Sequence, residues 1–410
     1  MAYIKGYECT ICKTQYEGME NLHTCPKCGE KGILEIVYDY KKIKSKFTKA
    51  QLTNCTDNSM WRYRVAMSVT PGSTEKYLKV GGTPLYRTRR LGGVLGLKKL
   101  YVKDEGLNPT ASLKDRASAV AVADAIKMKV KTLCCSSTGN AASSLAGNAS
   151  RTGHDTVIFV PERAPIGKLA QLLIFSAKVI VVNGSYRDAF EMSQKAIEKW
   201  GWYNRNAAIN PHLVEGKKTV AMEIAEQMDW KVPDWVSVSV GDGCTVSGVY
   251  KGFYDLLQLG IIERIPRLLG VQSDGCSPFV NAFIKNKPLE PAEENTIADS
   301  ISVGIPRNPV KANRAIEKSE GIWIAVSDHN ILKAMKTLGS NEGIFTEPAG
   351  AASIAGIEEA LKLGIIKSSE TVCAIATGNG LKDTKNAMEA AGKPIYIEPD
   401  MSELLKVIGQ

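Results

Sequence analysis

No run of apolar residues among the 410 approaches the length of a membrane-spanning helix. The first residues, Met1 to Tyr7, lack the charged-then-apolar layout of a secretion signal, so a soluble, cytoplasmic protein is expected. Charge of one sign is not concentrated either. The net charge is +9, from 52 Lys and Arg against 43 Asp and Glu, yet the lysines are scattered apart from Lys41, Lys42, Lys44 and Lys46. No aromatic-basic pattern follows that cluster, so a solvated linker is expected there and no nucleic-acid partner. The positive excess weakly favours small anionic ligands. Two nucleotide-binding signatures are missing. Gly241-Asp-Gly-Cys-Thr245 ends in no Gly-Lys-Ser/Thr, which excludes a Walker loop, and it lacks the third glycine of a dinucleotide fingerprint.

Cysteine is not scarce: there are ten. Cys55, Cys134, Cys135, Cys244, Cys276 and Cys373 are dispersed, mostly in apolar runs, and read as small hydrophobes. Cys9, Cys12, Cys25 and Cys28 form two CxxC knuckles. Two such pairs can close a tetrahedral thiolate shell around Zn²⁺. A closed shell leaves no open position, so the metal is expected to be structural, with His23 not needed as a ligand. A pair of disulfides is the competing reading.

After the ribbon at residues 8–38 comes a connector, where Trp61, Tyr63 and Val65 alternate with Arg62 and Arg64. From residue 81 the chain alternates apolar strand-like runs with helical stretches. Strands are expected at 100–102, 132–135, 156–160, 179–182, 235–240, 267–272, 322–326 and 372–376. That alternation predicts parallel sheets with helices on both faces, in two halves with a cleft, and ligands at the carboxyl ends of the strands. The expected division is a zinc ribbon over 1–38, a linker and the first part of a large α/β domain over 39–107, a smaller α/β domain over 108–207, and the remainder of the large domain over 208–410.

The most informative stretch runs from Gly106 to Ala117. Asn108-Pro109 breaks the preceding strand, because a residue before proline avoids the helical region. Thr110 or Ser112 is expected to cap a helix that starts near Ser112 and continues to Ile126. That helix is rich in Ala and Val, so it is expected to be buried on most sides. Lys114 then sits in its first turn. The positive helix end and the loss of water both disfavour an ammonium ion, and an amine of lowered pKa is what a Schiff-base lysine requires. The competing reading pairs Lys114 with Asp115 or lets it reach the surface.

Three further loops share one layout, a buried strand, a Gly- or hydroxyl-rich turn and a helix, which suits anions. Ser136 to Asn140 offers hydroxyls and a carboxamide suited to a carboxylate, with Asn140 free for a phenolate or hydroxyl; plain capping is the alternative. Gly241 to Thr245 offers a fan of N–H groups suited to a phosphate, with Asp242 expected to point away. Thr377 ends a buried strand with a hydroxyl that could meet a ring nitrogen or a phosphate. A lysine, a carboxylate loop, a phosphate loop and a further hydroxyl together suit pyridoxal phosphate.

The ordered set Gly81-Gly-Thr-Pro-Leu85, Asn108-Pro-Thr-x-Ser-x-Lys-Asp-Arg116, Ser137-x-Gly-Asn140, the glycine loop, Glu347-Pro-x-x-Ala-Ala352 and Thr377-Gly-x-Gly-Leu-Lys-Asp383 resembles threonine synthase. That family belongs to the fold-type II pyridoxal-phosphate enzymes, which are tryptophan synthase β-like. The likeness runs from about residue 81 to about 385, and the N-terminus resembles a ribbon found on some members. It implies an α/β protein of fold type II, with two open α/β domains, a cleft and an N-terminal zinc ribbon. By position it makes Lys114 the Schiff-base lysine and main acid/base, and Asn140 the partner of the cofactor's phenolate oxygen. It places the cofactor phosphate on Gly241, Asp242, Gly243, Cys244 and Thr245, the ring nitrogen on Thr377, and the substrate carboxylate on Ser137, Thr138 and Asn140. The implied activity is a carbon–oxygen lyase of threonine biosynthesis. It converts O-phospho-L-homoserine, an amino-acid phosphate, and water to L-threonine and phosphate, in a homodimer.

Three departures stand out. Ala111 occupies the place of a usual glycine, and the phosphate loop reads Gly-Asp-Gly-Cys-Thr where the family has Gly-Asn-x-Gly-Asn. Leu213 stands where the family often has an arginine that helps to hold the substrate phosphate, so Lys217, Lys218 or another cation would have to replace it. For that reason a cysteate synthase acting on phosphoserine, or a threonine or serine ammonia-lyase, is the alternative activity. A zinc-ribbon binding protein on a dead scaffold is the non-enzymatic one.

Overall fold

The structure is a computed structural model and describes residues 3–19, 22–162, 166–206 and 208–409. Fourteen strands form three sheets. The first four, β1 (Ile4–Cys9), β2 (Gln15–Glu17), β3 (Thr24–Cys25) and β4 (Gly29–Tyr38), make an antiparallel sheet in the order β2-β1-β4-β3. Next come β5 (Leu85–Arg87), β6 (Lys99–Asp104), β7 (Thr132–Ser136), β8 (Asp155–Pro161), β9 (Lys178–Val182) and β10 (Tyr203–Asn204). The chain closes with β11 (Trp235–Ser239), β12 (Arg267–Ser273), β13 (Ile322–Val326) and β14 (Thr371–Ala376).

The larger sheet has the order β13-β12-β11-β14-β6-β5, parallel except for the edge strand β5. The smaller one is parallel throughout, in the order β10-β7-β8-β9. Central strands such as β11 and β14 carry hydrophobic or small side chains at nearly every position, because helices cover both faces. Two apolar layers lie on the large sheet. One gathers Val236, Val238, Phe253 and Leu268; the other gathers Leu100, Val102, Leu269 and Ala374.

Five helices position the site: α1 (Lys114–Lys127), α2 (Asn140–Arg151), α3 (His212–Lys217), α4 (Cys244–Gln258) and α5 (Pro348–Lys362). α1 begins at Lys114, and neither Thr110 nor Ser112 caps it: its first-turn cap is Leu113, which makes no side-chain bond. The hydroxyl of Thr110 instead donates to Asp115. The alternating stretch at 61–65 is a 3-10 turn, Met60–Ala66, which buries Trp61 and Tyr63 and leaves Arg64 exposed. A period of two is not unique to a strand when the element is this short.

The four knuckle cysteines converge, with their sulfur atoms within 4.8 Å of one another. Cys12 Sγ and Cys25 Sγ are 3.7 Å apart. A tetrahedron with Zn–S bonds of about 2.3 Å has edges of about 3.8 Å, whereas a disulfide requires about 2.05 Å. The donor set therefore suits a closed metal site, and all ten cysteines are free thiols. The ribbon packs against the large α/β body. Tyr7, Leu34, Ile36 and Tyr38 belong to the same core as the large sheet. Lys311 Nζ donates to the Leu34 carbonyl at 2.6 Å, and Arg314 pairs with Glu35.

Candidate active site

Four loops leave the carboxyl ends of parallel strands and meet: the one after β6 that leads to Lys114, and those after β7, β11 and β14. Since β11, β14 and β6 are neighbours, three of the four are adjacent by topology alone. Main-chain bonds fasten two of them together. Leu113 N–H donates to the Thr377 carbonyl at 2.8 Å, and Asn379 N–H donates to that of Ala111 at 3.0 Å. Ala111 holds φ +65°, a left-handed conformation that the usual glycine adopts without strain. Ala111→Gly is accordingly expected to raise stability by up to about 1 kcal/mol, as read from chemical denaturation.

Lys114 heads a helix whose other residues are almost all buried. Burial pushes its amine pKa down, against an opposing pull from Glu347. Among the described residues its ammonium has no ion pair or hydrogen bond. The pairing with Asp115 does not occur. The Asp115 carboxylate accepts from Thr110 N–H at 2.8 Å, Thr110 Oγ1 at 2.8 Å and Asn148 Nδ2 at 2.7 Å. Burial holds that carboxyl up at a pKa of about 6.

Around Lys114 a lattice of buried charge sets the backbone. Arg116 Nε donates to Glu105 and its Nη1 to Glu223, both at 2.7 Å, and Lys103 Nζ meets Glu223 at 2.7 Å. The turn at 81–83 is tied to the same carboxylates: Gly82 N–H donates to Glu223 at 2.9 Å and Thr83 Oγ1 to Glu105 at 2.6 Å. Asp-Arg after the lysine is thus architectural.

The loop after β7 leads into α2 without a side-chain cap, since Gly139 precedes Asn140. Thr138, Gly139 and Asn140 line a cleft of about 250 Å³ with Ser300, Glu347 and Lys382. Ser137 lies beside it, its Oγ accepting from Gly139 N–H at 3.2 Å. Asn140 Nδ2 donates to Glu347 at 2.8 and 3.1 Å. Lys382 bridges Ser143 and Gln171 at 3.1 and 2.9 Å across the cleft wall. A separate hollow of about 300 Å³, lined by residues between Asp274 and Asn295, contains none of these residues.

The loop after β11 turns at Gly243, φ +85°, where a Cβ would lie 2.7 Å from Ala312 Cβ. It leaves the fifteen-residue helix α4 with no side-chain cap, so its first N–H groups face the loop's concavity. The Asp242 carboxylate accepts from Arg307 N–H at 3.2 Å. Cys244 and Asp242 lie within electrostatic range of Lys114.

Lysine, uncapped helix starts and glycine cradle suit pyridoxal phosphate. Three buried hydroxyls at the strand ends, Ser112 Oγ, Ser136 Oγ and Ser239 Oγ, have no partner among the described residues, which also marks a site built for a polar ligand. The sequence reading named no role for Glu347, Lys382 or Arg205. Glu347, next to a proline that opens α5, and Lys382 each stood inside a quoted motif, whereas Arg205 carried no signal.

The family described as pyridoxal-phosphate dependent enzymes matches residues 77–378. A threonine synthase of Methanocaldococcus jannaschii is 43% identical over 403 residues, 98% of each chain. One of Mycobacterium tuberculosis is 36% identical over 340 residues, covering 82% of this chain and 92% of the relative. Among solved structures, the processed form of threonine deaminase isoform 2 from Solanum lycopersicum superposes with a TM-score of 0.65 at 22% identity, covering 76% of this chain and 88% of the other. At that identity the match speaks for the fold alone.

Proposed function

The chain belongs to the pyridoxal-phosphate dependent enzymes, and we infer that among them it is a threonine synthase, converting O-phospho-L-homoserine and water to L-threonine and phosphate. The observation that carries this is similarity over 98% of both chains to a threonine synthase, with the ribbon included. Sister activities, phosphoserine β-replacement and ammonia-lyase chemistry, are the comparisons in the test. Purified protein supplied with the cofactor is expected to release phosphate and threonine from O-phosphohomoserine. Faster turnover of phosphoserine with sulfite, or of threonine to an oxoacid, would overturn the reading.

When bound, the cofactor supplies the electron sink that makes carbon–hydrogen bonds beside an amine acidic. Lys114 Nζ would hold it, and the same amine would take the proton from the substrate's α-carbon. The lowered pKa set by burial keeps a share of that amine neutral, as a base must be. Asn140, whose amide nitrogen Glu347 holds in place, would be the partner of the phenolate oxygen. Ser137 and Thr138, with the N–H groups opening α2, receive the substrate carboxylate and fix which α-bond faces Lys114. Residues 241–245 would hold the cofactor phosphate on main-chain N–H groups, and the Thr377 hydroxyl would be the partner of the ring nitrogen.

Four thiolates are assigned a structural zinc ion. Ile33, which follows the second knuckle, packs on Cys244 at the phosphate loop. Metal removal by a chelator is therefore expected to lower the melting temperature of the whole protein by on the order of 5–10 °C. One equivalent of zinc should appear in a colorimetric assay as it does so. A homodimer and a cytoplasmic location complete the proposal, and light scattering reads the first of these.

A further inference from the structure

Seven lysines and arginines are buried among the described residues: Lys103, Arg116, Arg205, Lys217, Lys218, Lys251 and Lys311. A buried cation without a partner costs several kcal/mol, so each should be neutralised. Lys103 and Arg116 meet Glu105 and Glu223, while Lys218 and Lys251 meet Asp255 at 2.7 and 2.5 Å. Lys218 is thereby removed as a replacement for the arginine lost at Leu213. Lys311 donates to a carbonyl and has Glu35 in electrostatic range. Arg205 and Lys217 are the exceptions. Arg205 donates through Nε and Nη2 to Ser118 Oγ at 3.2 and 3.1 Å and has no ion pair among the described residues. Lys217 has neither ion pair nor hydrogen bond there.

Their placement follows from helix packing. Ser118 lies four residues after Lys114 on α1, so Arg205 sits on the face of α1 that carries the lysine. α3 is wedged between α1 and α4 at glycines. A Cβ at Gly216 would lie 2.1 Å from the Arg116 carbonyl oxygen, and one at Gly248 would lie 2.9 Å from Lys217 Cβ. Gly248 is four residues after Cys244 on α4, so the stem of Lys217 lies on the face of α4 that begins at the phosphate loop. Lys217 has Cys244, Lys114 and Arg205 all in electrostatic range. Leu213, by contrast, is packed in the apolar core of the smaller sheet and offers nothing to an anion.

We propose that Arg205 and Lys217 form the subsite for the γ-phosphate of the substrate, replacing the arginine absent at Leu213; this rests on the threonine synthase reading. Two cations match a phosphate dianion, and a guanidinium can engage it with two donors. The main-chain N–H groups of residues 241–245 are left to the cofactor's own phosphate. One helical turn along α1 separates Lys114, which serves the α-carbon, from Ser118 and Arg205. That rise of about 6 Å over four residues is comparable with the few bonds between the α-carbon and a γ-phosphate. When the γ-carbon–oxygen bond breaks, its electron pair leaves on the phosphate. The β carbon–hydrogen bond, whose proton is lost, supplies the pair that replaces it. The two cations meet the charge that gathers on the leaving oxygen.

Lys217→Gln and Arg205→Gln test this in cofactor-loaded protein. Each is expected to raise KM for O-phosphohomoserine and to weaken calorimetric binding of inorganic phosphate by about tenfold or more. Affinity for pyridoxal phosphate, from absorbance titration, is expected to stay within about twofold, since the main-chain cradle remains. Lys217→Arg is expected to restore phosphate binding in part. Both Gln variants should melt at or above the parent temperature, because an unpaired buried charge has been removed. Weakened cofactor binding with KM and phosphate binding unchanged would overturn the proposal, as would a variant that melts well below the parent. A parent protein that turns over no O-phosphohomoserine would overturn the functional reading instead, and that is seen before any variant is made.

Discussion

Lys114→Ala is expected to lower kcat by at least about a thousandfold while leaving the fold and the melting temperature unchanged. The asymmetry follows from what Lys114 touches. Among the described residues its ammonium has no partner, so truncation breaks no ion pair. Alanine suits the first turn of a helix already rich in that residue. Burial opposes the charge, Glu347 offsets that only in part, and no hydrogen bond is lost, so its removal costs little stability. The loss therefore falls on chemistry alone: no amine remains to hold the cofactor or to take the α-proton. Circular dichroism, thermal melting and threonine formation on one preparation read both halves of this expectation. Parent-level turnover in the variant would remove Lys114 from the mechanism.

The second large effect is on stability. Arg116→Met is expected to cost about 3–5 kcal/mol, because it strips the cation from Glu105 and one of the two from Glu223 while both carboxylates stay buried. In the parent, Arg116 holds the Glu105 carboxyl below its ordinary pKa, and Arg116 with Lys103 does the same for Glu223. Groups with depressed folded pKa values contribute stability above their unfolded values, near pH 4.5, and lose it as pH falls. In the variant, Glu105 keeps its burial and only Lys103 in electrostatic range, so its pKa rises and acid relieves its cost. The stability gap between parent and variant should thus be widest at neutral pH and narrow as pH falls below about 5. Urea titrations at several pH values measure this. A gap that widens in acid would mean that the lattice is not the source of the stability.

Much of the architecture could be read from the chain because its signals were local. Strands such as Ile322–Val326 and the long helix Tyr186–Trp200 announce themselves by composition and period, and each site loop sits where a buried strand ends. The two CxxC knuckles announce by spacing the four cysteines that converge. Features decided by distant partners were not legible. Thr110 looks like a helix cap, but Asp115 is close enough to take its hydroxyl, so α1 starts two residues later than expected. Glu347 reaches Asn140 across 207 positions of sequence, and Arg205 reaches Ser118 across 87. No local pattern encodes either. The ribbon's merger with the main core depends on Tyr7 and Tyr38 meeting His212 and Glu215, which is likewise invisible to spacing.

The central claim is that one amine, that of Lys114, carries the cofactor. Borohydride reduction of the loaded protein, followed by proteolysis and mass spectrometry, tests it most directly. The account predicts a single pyridoxyl group per chain, on the peptide that contains Lys114. A label on Lys217, the buried lysine at this site that has no ion pair among the described residues, or no label at all, would contradict it.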